Sequence, residues 1–128
     1  MSVSVDVFVT TKSSIKEIIA CVEQVIGHRL ERVDSEEGEQ YKKSVMGIEI
    51  VAFNEHGLAD DVGIEFSRYP IQVSFTRYAG APEVELLTEL CRILAFICAS
   101  TISRVCNTEC IVVGNLQHII ASFPKQGF

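Results

Sequence analysis

Tryptophan is absent from this 128-residue chain. Its core must therefore rest on Val, Ile, Leu and Phe, and an apolar content of 48% supplies enough of them to exclude a disordered acidic tail. Long hydrophobic runs are missing too. The nearest, Ile93 to Ala99, is seven residues long, well short of the roughly 18 that span a bilayer. The start, Met1-Ser-Val-Ser-Val-Asp6, lacks a basic segment and an apolar segment of signal-peptide length, so a cytoplasmic protein with no membrane partner is expected. There is no Gly-rich phosphate loop, no Gly-x-Ser-x-Gly and no His-Glu-x-x-His. Catalytic residues and cofactors are therefore not expected. A net charge of −6 with no basic stripe disfavours nucleic acid as a partner.

Cysteine is present but unpaired in pattern. The five residues fall at 21, 91, 98, 106 and 110. The number is odd, and Cys106-Asn-Thr-Glu-Cys110 has no second pair to complete a metal site, so reduced structural thiols and no metal are expected. His28, His56 and His118 fall at the ends of separate elements and read as surface or loop residues. Asp60-Asp61, between Gly57 and Gly63, lacks the alternating acids and distal Glu of a calcium loop. Paired carboxylates such as Glu49 and Glu65 could face each other across two strands, yet no cleft or substrate-binding aromatics accompany them.

The charge itself is the positive signal. Residues 31–65 hold ten of the 17 acids and three bases, or −7 net, so the rest of the chain is close to neutral. Such a field speeds encounter with a basic partner. Apolar and aromatic residues lie among the acids, as they do in protein interfaces. The candidate partner-binding set is Glu36, Glu37, Glu39, Asp60, Asp61 and Glu65, with Phe66 and Tyr69 as anchors.

The pattern predicts an α+β fold in a single domain over residues 1–128: an antiparallel sheet of about four to six strands with two helices on one face, a two-layer sandwich. Val3, Val5, Val7 and Val9 alternate, with Phe8 giving the opposite face a partly covered character. Ser14-Ile-Lys-Glu17 is a capping box that opens a helix over 14–26, and Gly27 suits its stop. Strands are expected at Leu30–Val33, around Tyr41–Met46, at Gly47–Phe53, at Ile64–Tyr69, from Ile71 towards Tyr78, and at Glu109–Val113. Residues 116–123 fit helix or strand. A second helix opens at Pro82 and runs to about Ser103. Its second half is apolar nearly all round, which makes it either the central core element or half of a helix-mediated homodimer. Leu90, Leu94 and Ile97 are expected against the sheet.

The segment Gly47-Ile-Glu-Ile-Val-Ala-Phe-Asn-Glu-His-Gly-Leu-Ala-Asp-Asp-Val-Gly-Ile-Glu65 and the tail Glu109-Cys-Ile-Val-Val-Gly-Asn-Leu-Gln117 resemble the immunity proteins of bacterial contact-dependent inhibition and related polymorphic toxin systems. The resemblance implies a protein partner: a cognate toxin, often a basic nuclease, neutralised by direct contact. A type III secretion chaperone, acting as a dimer on an effector, is the alternative reading. A small enzyme with a site assembled from scattered residues is a third.

Overall fold

In a computed structural model describing residues 4–10, 14–36, 38–77 and 84–125, the alternating segments become seven strands of one antiparallel sheet. They are β1 (Ser4–Val9), β2 (Glu31–Ser35), β3 (Gly38–Val45), β4 (Ile48–Phe53), β5 (Ile71–Arg77), β6 (Cys110–Gly114) and β7 (His118–Phe123). The spatial order is β2-β3-β4-β5-β1-β6-β7, one strand more than the upper end of the expected range. The extra strand resolves the ambiguous tail: Asn115 and Leu116 take left-handed backbone angles, and Gln117 donates to the Gly114 carbonyl at 2.9 Å. That tight turn folds β7 back on β6.

Two helices cover one face. In α1 (Ile15–Ile26), the Ser14 side chain accepts from the Glu17 N–H at the start. At the end Gly27, at φ 74°, donates to the Glu23 carbonyl. Both caps satisfy backbone groups that a helix end leaves open. The long α2 (Val84–Cys106) packs on β5, β1 and β6 and beside α1. The opening expected at Pro82 lies outside the described residues, as do Val3 and Glu37. By length and composition alone α2 is apolar enough to cross a membrane, yet one of its faces is packed on this sheet.

Period two decides the main core. Val5, Val7 and Val9 share a face with Ile71, Val73 and Phe75 on β5 and with Ile48, Ile50 and Ala52 on β4, and all nine are buried. The helices contribute Ile18, Val22, Leu87, Cys91, Ala95, Cys98 and Ile102. The expectation for α2 needs correction here. Leu90 and Leu94 are only half-buried, and Ile97 is 47% exposed. The helix presents the 87/91/95/98/102 stripe to the sheet instead, about a third of a turn from Ile97.

A second, smaller core forms on the opposite face. Phe8, Ile111 and Val113 rise from the sheet to meet Ile64, Phe66 and Tyr69 of the segment between β4 and β5. Ile64–Tyr69 is therefore not a strand. Ile64 makes a single bridge to Asp61, and Phe66–Arg68 form one 3-10 turn before Pro70 leads into β5. Two polar bodies explain the difference. The His56 ring sets its Nε2 3.1 Å from the Phe66 carbonyl and 2.6 Å from that of Tyr69. Asp60 accepts from the Ser67 N–H at 2.8 Å. These bonds use up the backbone groups that a strand would have offered to a neighbour.

Candidate functional site

The acidic residues divide between two structures. The first is the β2–β3 hairpin at the sheet edge. Arg32 reaches Asp34 at 3.2 Å and Glu39 at 3.7 Å, and the Tyr41 hydroxyl donates to Glu39. The Asp34 carboxylate, through its hydrogen bond first, makes the Arg32 guanidinium hold its proton more tightly. Arg32 is thus neutralised within the hairpin, and Glu36 stands exposed at the tip. These pairs are solvated and add little to stability.

The second structure is the segment between β4 and β5, which lies over the other face of the sheet. Asp60 takes both the N–H and the hydroxyl of Ser67, at 2.8 and 3.2 Å. The backbone bond, and then the hydroxyl bond, hold its carboxyl below the usual carboxylate range, so Asp60 stays charged. Asp61 accepts from the Val62 N–H at 2.8 Å. Val62 and Gly63 both have positive φ, which closes a tight turn back to Ile64. Asp60, Asp61 and Glu65 are exposed.

The two structures meet at one cleft of about 530 Å³, lined by Gly38, Glu39, Asn54, Glu55, His56 and Gly57. Glu39 comes from the hairpin and exposed Glu55 from the loop, so two parts of the acidic segment share a concave surface. Glu55 was missing from the candidate set, although it belongs to the same charge-rich stretch. His56 is fully engaged: its Nδ1 accepts from the Leu58 N–H at 2.8 Å while Nε2 faces the two carbonyls. The ring is therefore oriented as a structural clamp with Nε2 as the donor.

Phe66 and Tyr69 require a correction. They are 3% and 6% exposed, so neither is a surface anchor. Phe66 packs its ring 5.1 Å from that of Phe8. Burial, followed by the nearby Glu109 carboxylate, raises the Tyr69 phenol. Arg68 covers the Tyr69 ring at 5.7 Å and pairs with Glu109 at 2.8 Å. Both aromatics position the acidic loop and make no outward contact. Nor do Glu49 and Glu65 form a pair on facing strands. Glu49 lines a shallow polar groove with Glu31, Lys42, Lys43 and Ser44, while Glu65 precedes the 3-10 turn.

The described cysteines are free thiols. Cys21 and Cys106 lie 3.9 Å apart between the two helices. Burial pushes Cys21 up to about 11 and Cys98 and Cys110 up to about 12, so these three are poor nucleophiles. Among the described residues no three or more of His, Cys, Asp and Glu are grouped so as to hold a metal ion.

Asp6 is a buried charged side chain on the second face. Gln72 Nε2 donates to its Oδ1 at 2.8 Å and the Ser4 hydroxyl to its Oδ2 at 2.9 Å. Burial outweighs these bonds and raises its pKa above 3.8. The stability that goes with the protonated carboxyl is full below the unfolded value and is lost as pH climbs through the folded one. Asp6→Asn keeps an acceptor for Gln72 and places a donor towards Ser4, without the charge. The variant should melt above the parent at pH 7 and level with it well below pH 3.8. Paired thermal melts at the two pH values check this; a gap that does not change with pH would defeat it.

No family model, curated protein or solved structure matches the chain.

Proposed function

We propose that this chain is a cytoplasmic binding protein that neutralises a cognate bacterial toxin by direct protein–protein contact, as an immunity protein does. The observation that carries this reading is the shared cleft. It joins the acidic hairpin to the acidic loop: Glu39 and Glu55 line it, Glu36 is exposed at the hairpin tip, and Asp60, Asp61 and Glu65 lie further along the loop. The segment's three bases cancel only part of this field: Arg32 offsets one charge of the hairpin, between Asp34 and Glu39, and Lys42 and Lys43 sit in a separate groove with Glu31 and Glu49. Concave negative surfaces focus the field and raise the on-rate of a basic partner. The toxin implied is basic and protein in nature, and the mode of inhibition is occlusion.

The test follows from which acids are free of structural duty. Asp60 and Asp61 brace the loop, so their reversal would disturb the fold along with the charge. Glu36, Glu55 and Glu65 are exposed, and among the described residues their carboxylates make no hydrogen bond or ion pair. The triple variant Glu36→Lys, Glu55→Lys, Glu65→Lys should lower the on-rate for a basic toxin domain that the parent binds by about tenfold or more at low salt. It should also flatten the salt dependence, since screening acts over about 8 Å at physiological ionic strength. Stopped-flow kinetics across a salt series reads both effects. Association indifferent to salt and to the triple reversal would remove the acidic cleft as the contact surface.

A further inference from the structure

The outer face of α2 is unusually apolar for a surface. Leu86 is 66% exposed, Ile93 48% and Ile97 47%. With half-buried Leu90, they recur at intervals of four, three and four residues. Ser100 and Arg104 continue the series at three and four. That is the 3.5-residue repeat of a seam between two helices, running separately from the 87/91/95/98/102 stripe that meets the sheet. At 1.5 Å per residue the seam is about 27 Å long from Leu86 to Arg104.

Two further features lie against it. Met46, at the tip of the β3–β4 turn, is 76% exposed and has φ 52°. A turn with positive φ at both Met46 and Gly47 favours Asn, Asp or Gly at its first position, so the fold gives no reason for a bare methionine there. Met46 also borders a notch of about 110 Å³ that shares Leu90 and Leu94 with α2 and is otherwise lined by Val25, Ile26 and Val45, among others. The second feature is charge. Exposed Glu85 flanks the N-terminal end of the seam, with Glu89 beside it paired to Arg92 at 2.8 Å, and exposed Arg104 sits at its C-terminal end. This placement suits the helix dipole. It also makes the helix complementary to a reversed copy of itself.

We propose that the outer seam of α2 is a homodimer interface in which two copies of this chain pack their α2 helices antiparallel about a two-fold axis between Ile93 and Ile97. Ile93 of each copy then meets Ile97 of the other, Leu90 meets Ser100, and Arg104 falls beside Leu86 and Glu85. A parallel pair would instead set Glu85 against Glu85 and Arg104 against Arg104. A seam about 27 Å long and one helix, about 10 Å, wide falls well short of the roughly 800 Å² per partner of a standard stable interface. The dimer is accordingly weak and dependent on concentration. It leaves the acidic cleft uncovered, and it does not rest on the toxin-binding reading.

Sedimentation velocity of the full chain from low to high micromolar concentration tests the proposal. The parent should shift from monomer to dimer. Ile93→Lys and Ile97→Glu each replace a half-exposed side chain that the fold does not need. Circular dichroism should show both folded, and each should weaken self-association by at least about tenfold. Mixed in equal amounts, the two variants should recover a dimer, because an antiparallel pair sets the introduced lysine of one copy against the introduced glutamate of the other. A parent that is monomeric throughout overturns the proposal. In that case, flotation with phosphatidylcholine–phosphatidylglycerol vesicles would assign the seam to a lipid surface, and binding of a basic toxin domain lost in either variant would assign it to that partner. A dimer indifferent to both substitutions overturns it as well. Single variants that dissociate but fail to recover on mixing overturn the antiparallel register.

Discussion

Phe8→Ala should lower the stability of this protein by about 3–5 kcal/mol, the usual loss when a fully buried aromatic ring is removed. Phe8 is wholly buried, on the face of the sheet that the helices do not cover. Its ring meets the Phe66 ring at 5.1 Å and stands edge-on to His56 at 5.3 Å. These contacts fasten the segment between β4 and β5 to the sheet. The His56 clamp and the Asp60–Ser67 bonds act within that segment and cannot hold it down alone. Two readouts should therefore move together. The denaturant midpoint should fall, and trypsin should cut more readily after exposed Arg68, which the docked loop protects through its pairing with Glu109. Association with a basic partner should also slow, because Asp60, Asp61 and Glu65 ride on the loop. Phe8→Leu retains most of the apolar volume and should show a smaller form of each effect. A normal midpoint and an unchanged tryptic pattern for Phe8→Ala would show that the loop is held by something other than this second core.

Phe8 also marks how far the sequence could be read. Its place on the polar face of an alternating strand signalled that something covers that face. What covers it could not be read, because the closing contacts are long-range. Phe8 meets Phe66 across 58 positions, and the His56 clamp depends on two carbonyls that carry no side-chain signature. Ile64 to Tyr69 therefore read as a strand by residue type, and Phe66 and Tyr69 read as interface anchors when both are structural. Local signals fared better. Ser14 and Gly27 define α1 because caps act within one turn. Alternation placed Ile48, Ile50 and Ala52 on one face because side-chain direction in a strand has no freedom beyond two. The concentration of acids was plain, but its division between a hairpin and a loop, and their meeting at the cleft with Glu55, needed three-dimensional placement.

The rotation of α2 was the other feature that sequence could not settle. A helix apolar nearly all round has two stripes that both satisfy the three-or-four rule, and composition does not say which faces inward. The small residues decide it: Ala95 and Ala99 let the helix approach the sheet closely, and Cys91, Cys98 and Ile102 fill the space around them. Ile102→Ala should cost about 2–5 kcal/mol, because a fully buried side chain leaves a cavity between helix and sheet. Ile97→Ala should change stability by no more than about 0.5 kcal/mol where the chain is monomeric, since Ile97 is half in water already. Urea titrations of both variants at low micromolar concentration give the comparison, and the slopes should match the parent's if the native state stays intact. Equal losses at the two positions, or a larger loss at Ile97, would mean that α2 is turned with its outer seam towards the sheet. That result would remove the exposed stripe on which the homodimer rests.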